Sequence, residues 1–174
     1  MPSIQIIPVS NIDITLLQSI SKQTFIETFS SSNTTEDIEE YVNERLSHQH
    51  LANELMNEYS NFYFASYNGE VIGYLKLNKG PSQTELKEAD SIEIERIYVL
   101  RAFHGLKIGQ LLLDHAIQIA QKSHMKSIWL GVWERNIRAI EFYKKNGFVT
   151  FDQHTFMLGS DIQIDLLMRL ILGE

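Results

Sequence analysis

Two periods of apolar residues alternate along the chain, and the switch between them marks out its elements. From residue 14 to 29 the apolar positions Leu17, Ile20, Ile26 and Phe29 recur at helical spacing, with Asn11 or Asp13 placed to cap the first turn. A second helical region opens at Thr34 or Thr35, carries acidic residues in its first turn, and runs on through Tyr41, Val42 and Leu46. Leu51, Leu55 and Met56 either extend it or begin another short helix. Ile4 and Ile6, followed by Pro8, predict a short opening strand. At Asn61 the period shortens to two. NFYFASY and EVIGYLKLN flank Asn68-Gly69, which predicts a hairpin on a two-residue turn. After a polar loop (79–90) the pattern predicts a strand at 91–100, a helix at 107–123, a buried strand at 126–133, a helix at 137–146, and closing strands at 148–157 and 162–170. That late order indicates a mixed α/β sheet. No repeat or long linker interrupts it, so residues 1–174 are expected to form one domain, with parts at 1–89, 90–150 and 151–174.

Composition narrows the chemistry. At 174 residues the chain can bury a sizeable core, and 44% hydrophobic with 21% charged residues is ordinary for a soluble globular protein. There is no cysteine, which excludes a disulfide framework, a thiolate nucleophile and a thiolate metal site. The first residues lack a basic region followed by an apolar core, and no stretch approaches the ~18 apolar residues of a membrane span, so a cytoplasmic location is expected. The six histidines show no metal-ligand spacing, so no metal is expected, and no Gly-x-Ser-x-Gly occurs. Net charge is −7, and all of it lies in residues 1–89, which hold twelve Asp and Glu against five Lys and Arg. Residues 90–174 hold ten of each. An acidic protein is a poor nucleic-acid binder. Its acidic half is either a solvated surface or a wall that attracts a cationic substrate.

The candidate chemistry centres on IEIERIYVLRAFHGLKIGQLLL (92–113), a strand, a turn and a helix that opens beside Gly105 and Gly109. The first N–H groups of a helix have no intrahelical partner, and with the macrodipole they suit a phosphate. By themselves two glycines at a helix start are more often only a turn. The later segment IWLGVWERNIRAIEFYKKNGF (128–148) supplies the second half of a pattern: a strand, Asn136, a helix with Ala139, Phe142 and Tyr143, then Gly147 and Phe148. Together the two segments resemble the GNAT superfamily of N-acetyltransferases. Its acetyl-CoA motif is Gln or Arg, two residues, Gly, any residue, then Gly or Ala. Here it reads His104-Gly105-Leu106-Lys107-Ile108-Gly109, with His104 and Lys107 departing from the pattern. Lys107 is expected within the first helical turn, at negative φ, where its charge can meet a phosphate. The stretches Glu27-Thr28-Phe29, IEIERIY (92–98) and IWLGVWE (128–134) are similar to the bacterial PaiA-type spermidine/spermine acetyltransferases.

The resemblance implies a largely antiparallel mixed sheet with a splayed central strand pair and helices on both faces. It implies acetyl-CoA as donor and a small cationic amine as acceptor, most readily spermidine or spermine, attacking the thioester directly. It also makes 1–89 the acceptor side and 90–150 the acetyl-CoA core. The main chain of Ile97, Tyr98 and Val99 would pair with the pantetheine arm. Residues 104–109, from His104 through Gly105, Leu106, Lys107 and Ile108 to Gly109, would cradle the pyrophosphate. Asn136 would bond the arm or the pyrophosphate end, or serve as a helix cap, and Lys145 would reach the phosphates or stay solvated. Tyr143 would be the acid for the leaving thiolate, whose conjugate acid has a pKa near 8.5. Glu95 is the candidate base, or else one half of a salt bridge. Strand alternation puts it with Glu93 on one face, and Ile94 with Arg96 on the other. Glu27, Glu36 and Asp37 are candidates for a second ammonium, or plain exposed carboxylates. A protein N-terminus, a lysine or an amine drug as acceptor, and a non-catalytic acetyl-CoA-binding regulator, remain alternatives. The apolar closing strands offer a homodimer contact.

Overall fold

The computed structural model describes residues 3–173. Strand β1 (Ile4–Pro8) leads into α1 (Ile14–Phe29), α2 (Thr35–Arg45) and α3 (His48–Met56). Then come β2 (Ser60–Tyr67), β3 (Glu70–Lys79), β4 (Ser91–Val99), α4 (Ile108–Lys122), β5 (Ser127–Trp133), α5 (Ile137–Lys145), β6 (Val149–Leu158) and β7 (Asp161–Ile171). The second helical region is thus two helices. Thr34 caps α2 by accepting from the Asp37 N–H, and Ser47 caps α3 by accepting from the His50 N–H, so a new helix starts where Leu46 ends the old one. At the hairpin Asn68 and Gly69 both take positive φ (51° and 85°), as a tight β2–β3 turn requires.

The seven strands form one sheet in the order β1-β2-β3-β4-β5-β7-β6. Every neighbouring pair is antiparallel except β4–β5. One face packs on α4 and α5 through Leu75, Leu77, Ile92, Ile94, Ile128 and Leu130. The other carries Phe62, Phe64 and Tyr74 under α1, α2 and α3. This is the mixed, mostly antiparallel sheet with helices on both faces that the resemblance implies. Among the described residues no helix is long and apolar enough to cross a membrane. The outer strand β6 leaves Val149, Phe151 and Met157 exposed, the surface expected to serve a dimer contact.

Two irregularities in the centre of the sheet shape everything that follows. The parallel pair β4–β5 is in register only from Ser91↔Ser127 to Ile94↔Leu130. Past that point β4 stays with β3 and β5 stays with β7, so the two central strands splay apart. In addition, Leu77 faces Ile94 while Lys76 faces Arg96, which leaves Glu95 as an extra, bulged residue. The bulge overturns the simple alternation expected for this strand. Arg96 shares a face with Glu93, and Ile97 returns to the core side opposite Leu75.

The bulged strand is held close to its neighbour at Gly73. A Cβ there would lie 2.6 Å from the Tyr98 carbonyl oxygen, which is main chain and has little room to yield. Gly73→Ala is therefore expected to cost about 1–3 kcal/mol and to displace the far end of β4. Chemical denaturation checks the first effect; an unchanged midpoint would show that the strand pair has slack.

Candidate active site

The splay opens a through-going cleft of about 910 Å³ between the C-terminal halves of β4 and β5. Ile97, Tyr98 and Val99 line it. Among the described residues their outer edge has no strand partner, so main-chain donors and acceptors face the gap as they would face an added strand, with the Val99 carbonyl also meeting His104 Nε2 at 2.8 Å.

At the top of β4 the chain passes through a single 3₁₀ turn (Arg101–Phe103) into the glycine segment. Gly105 takes φ +85°. The first hydrogen bond of α4 runs from the Leu111 N–H to the Lys107 carbonyl, so the N–H groups of Ile108, Gly109 and Gln110 lie ahead of the helical ladder. No heavy atom comes within 4 Å of a Cβ built on Gly109, so nothing crowds the approach to these donors. The turn fits an anionic diphosphate. Lys107 corrects the expectation set for it: it caps α4 at φ +60°, in the left-handed region, not within the first turn. A non-glycine residue there costs about 1–2 kcal/mol. Since glycine gives back about 0.5–1 kcal/mol through the unfolded chain, Lys107→Gly is expected to stabilise the protein by up to about 1 kcal/mol, read as a higher denaturation midpoint.

The opposite wall comes from α5. Asn136 caps it, its Oδ1 accepting from the Ala139 N–H at 3.2 Å, and it also lines the cleft. Both readings of Asn136 are therefore geometrically compatible. About two turns on, Tyr143 projects from the α4/α5 side to the splay. Its phenol is pushed well above the ordinary range by burial alone. It therefore stays protonated at any working pH, as a proton donor must. Leu106 and Lys145 do not line the cleft, and Lys145 lies exposed at the far end of α5. The cleft does include a cation not picked out as a binding residue in the sequence, Arg138, two residues past Asn136 on the first turn of α5. The signal available in the sequence was its place with Arg101, Lys107, Arg135, Lys144 and Lys145, which stand near Gly105, Gly109 and Gly147.

On the α1–α3 side the cleft widens into an aromatic chamber. Phe25 stacks on Tyr41 at 4.2 Å, Phe25 meets Phe29 at 4.7 Å, Phe29 meets Trp133 at 5.7 Å, and Tyr41 meets Phe156 at 6.1 Å. Five rings from four elements thus surround one space. Its base carries Glu93, Glu95 and Arg96, and its far wall carries Glu85, His154 and Asp165. His154 Nδ1 lies 2.8 Å from Glu85 Oε1, though not in line for a hydrogen bond, and its Nε2 lies 3.6 Å from Asp165 Oδ2.

The charges beneath the chamber are organised by α3. Glu54 receives both terminal nitrogens of Arg96 (2.9 and 2.8 Å) and the Lys76 ammonium (2.9 Å). Glu95 pairs with Lys76, lies 3.5 Å from Arg96, and accepts from Asn78 Nδ2 at 2.7 Å. Burial would raise the Glu95 carboxyl, but Arg96 and Lys76 outweigh it and hold it at about 2. The structure thus gives Glu95 the salt-bridged position, which ill suits a proton acceptor. Glu93 shares the Asn78 amide (3.0 Å) and accepts from the Thr84 N–H (2.9 Å) and, in a shorter contact, the Thr84 hydroxyl. Its carboxyl is raised, by burial first and by the Glu95 charge in addition.

The three acidic residues offered for a second ammonium lie elsewhere. Glu36 is exposed on α2 and does not reach the cleft. Glu27 accepts from the Arg101 N–H at 2.8 Å, while the Arg101 guanidinium donates to the Glu27 carbonyl, so this pair ties α1 to the end of β4. Asp37 is buried and accepts from the Ser160 N–H (2.9 Å) and hydroxyl (3.1 Å), clasping the β6–β7 turn. The Ser160 N–H lowers its pKa, despite burial.

Comparison with known proteins agrees with this geometry. The model of the acetyltransferase (GNAT) family matches residues 21–148. An uncharacterized N-acetyltransferase in the pepI 3′ region of Lactobacillus delbrueckii subsp. lactis is 36% identical over 97% of this chain and 98% of its own. A spermidine N(1)-acetyltransferase of Thermoplasma acidophilum is 29% identical over 86% of this chain and 91% of its own. The crystal structure of the PaiA N-acetyltransferase from Thermoplasma acidophilum, in complex with coenzyme A, superposes with a TM-score of 0.81 at 27% identity, covering 98% of this chain and 99% of that one. With the family match spanning both the splayed strands and the glycine turn, the chain belongs to the GNAT family and is an acetyl-CoA-dependent N-acetyltransferase.

Proposed function

We propose that the acceptor is a primary amine of an aliphatic polyamine such as spermidine or spermine, and that it enters through the aromatic chamber. The observation that carries this reading is the chamber itself, five aromatic rings closed over a base and wall that hold Glu85, Glu93 and Asp165. Ring faces attract ammonium groups, and methylene chains lie well against them. Arg96 also faces the chamber, but its charge is taken up by Glu54 and Glu95. Two relatives named as spermidine or spermine acetyltransferases support the class of acceptor.

In this reading the thioester arm lies along Ile97–Val99 and the phosphates rest on residues 104–109. The amine approaches from the chamber while Tyr143 approaches from the opposite face, to protonate the departing thiolate. The acceptor arrives as an ammonium with a pKa near 10 and must lose a proton before attack. Of the two carboxylates that share Asn78, Glu93 is the better matched to take it through water, since its carboxyl is raised and that of Glu95 is not.

The test is release of coenzyme A thiol from acetyl-CoA in the presence of spermidine, spermine, a lysine peptide or an aminoglycoside. Turnover is expected to be fastest with the polyamines and to rise with pH as free amine becomes available. Turnover with the lysine peptide alone would overturn the choice of acceptor. Tight acetyl-CoA binding without thiol release from any amine would overturn the catalytic reading.

A further inference from the structure

The glycine motif of this family opens with glutamine or arginine, and this chain has His104 there. The structure shows what that histidine does. His104 Nε2 lies 2.8 Å from the Val99 carbonyl oxygen, which can only accept, so Nε2 carries the ring proton. Nδ1 is then left as a lone-pair acceptor, and it receives Nη1 of Arg138 at 2.6 Å. The ring thus spans from the end of β4 to the first turn of α5, directly beside the phosphate turn. Among the described residues His104 is the sole hydrogen-bond partner of the Arg138 guanidinium, and Arg138 lines the same cleft as Gly105, Lys107 and Gly109.

We propose that Arg138 supplies the phosphate-facing donors that the motif normally carries at position 104, and that His104 is the positioning residue that sets Arg138 there. An arginine on α5 has several rotamers and would otherwise extend into solvent. One hydrogen bond to a ring, itself fixed on the strand, selects the rotamer that turns the guanidinium toward the glycine segment. Guanidinium groups suit this task because they meet phosphate oxygens with paired donors. The arrangement accounts for both departures from the motif at once: the cation moves from position 104 to 138, and Lys107 adds a second at the mouth of the turn.

The experiment measures binding by calorimetry for acetyl-CoA and for acetylpantetheine, which has the thioester arm and no phosphates. Arg138→Gln is expected to weaken acetyl-CoA at least about tenfold and leave acetylpantetheine unchanged. His104→Ala should lose a similar factor for acetyl-CoA alone, and the double variant should lose no more than the larger single loss. His104→Arg, placed in the Arg138→Gln background, should restore acetyl-CoA affinity by returning the motif residue. Long-range ¹⁵N–¹H correlation of the imidazole should show the proton on Nε2. Wild-type affinity in Arg138→Gln, additive losses in the double variant, equal losses for acetylpantetheine, no rescue by His104→Arg, or a proton on Nδ1 would each overturn the proposal. All of these side chains lie at the surface, and unchanged thermal unfolding will confirm that each variant is folded.

Discussion

Replacing Tyr143 with phenylalanine is expected to lower kcat about a hundredfold while the dissociation constant for acetyl-CoA stays within about twofold. Among the described residues the phenol is the one acidic group reaching the splay from the α4/α5 side, and it is held protonated by burial. Removing its oxygen leaves the ring, and so leaves the packing against Phe142 and Phe148 at 5.3 and 5.7 Å. Among the described residues the hydroxyl makes no hydrogen bond that its loss would break, so the variant should keep the stability of the parent to within about 1 kcal/mol. The loss belongs in kcat because a leaving thiolate exists only late in the reaction. Since the phenol is shifted up, no alkaline fall in rate near pH 10 should arise from Tyr143. An unchanged kcat across the pH range would remove Tyr143 from the acid role.

The second large effect is structural. Glu54→Ala is expected to destabilise the protein by about 3 kcal/mol, because it leaves the buried Arg96 and Lys76 sharing Glu95 alone. For a chain of this size that is a fall in Tm of about 6–12 °C. Glu54→Gln keeps the shape and removes the charge, so it should recover only part of the loss. The same network makes stability depend on acid. Glu95 and Glu54 are both depressed in the folded protein; in each, burial opposes the shift and the Arg96 and Lys76 charges prevail. Groups depressed on folding contribute fully above their unfolded pKa, and the contribution is lost as pH falls through the folded one. Stability should therefore hold down to about pH 4.5 and decline from there toward about 2. In Glu54→Ala that decline should be shallower. Equal acid sensitivity in both proteins would show that the network does not carry it.

Much of this protein is legible along the chain. Helical spacing from Leu17 to Phe29 and the Asn68-Gly69 turn are local signals, and the elements they predict are those observed. The pairing of the glycine segment with Asn136 and Tyr143 is a matter of order and spacing, and the cleft brings both together. What was hidden depends on partners distant in sequence. The bulge at Glu95 breaks strand alternation, and it sits where Glu54, some forty residues away, draws in Arg96 and Lys76. Asp37 looks like any acidic residue in a first helical turn until the β6–β7 turn arrives beneath it, where Gly159 leaves no room for a Cβ. Lys107 adopts a backbone conformation that favours glycine, against its own preference, because the turn imposes it. The aromatic chamber takes its rings from α1, α2, β5 and β6, which no single stretch of sequence unites.

Donor, acceptor and Tyr143 are expected to meet in the splay between β4 and β5. A crystal structure with coenzyme A and spermidine tests it most directly. The pantetheine arm is expected along the open edge of Ile97–Val99, the sulfur within about 3.5 Å of the Tyr143 oxygen, and the amine among Phe25, Tyr41 and Trp133. Coenzyme A on another surface, or its sulfur turned away from Tyr143 with spermidine outside the aromatic rings, would contradict it.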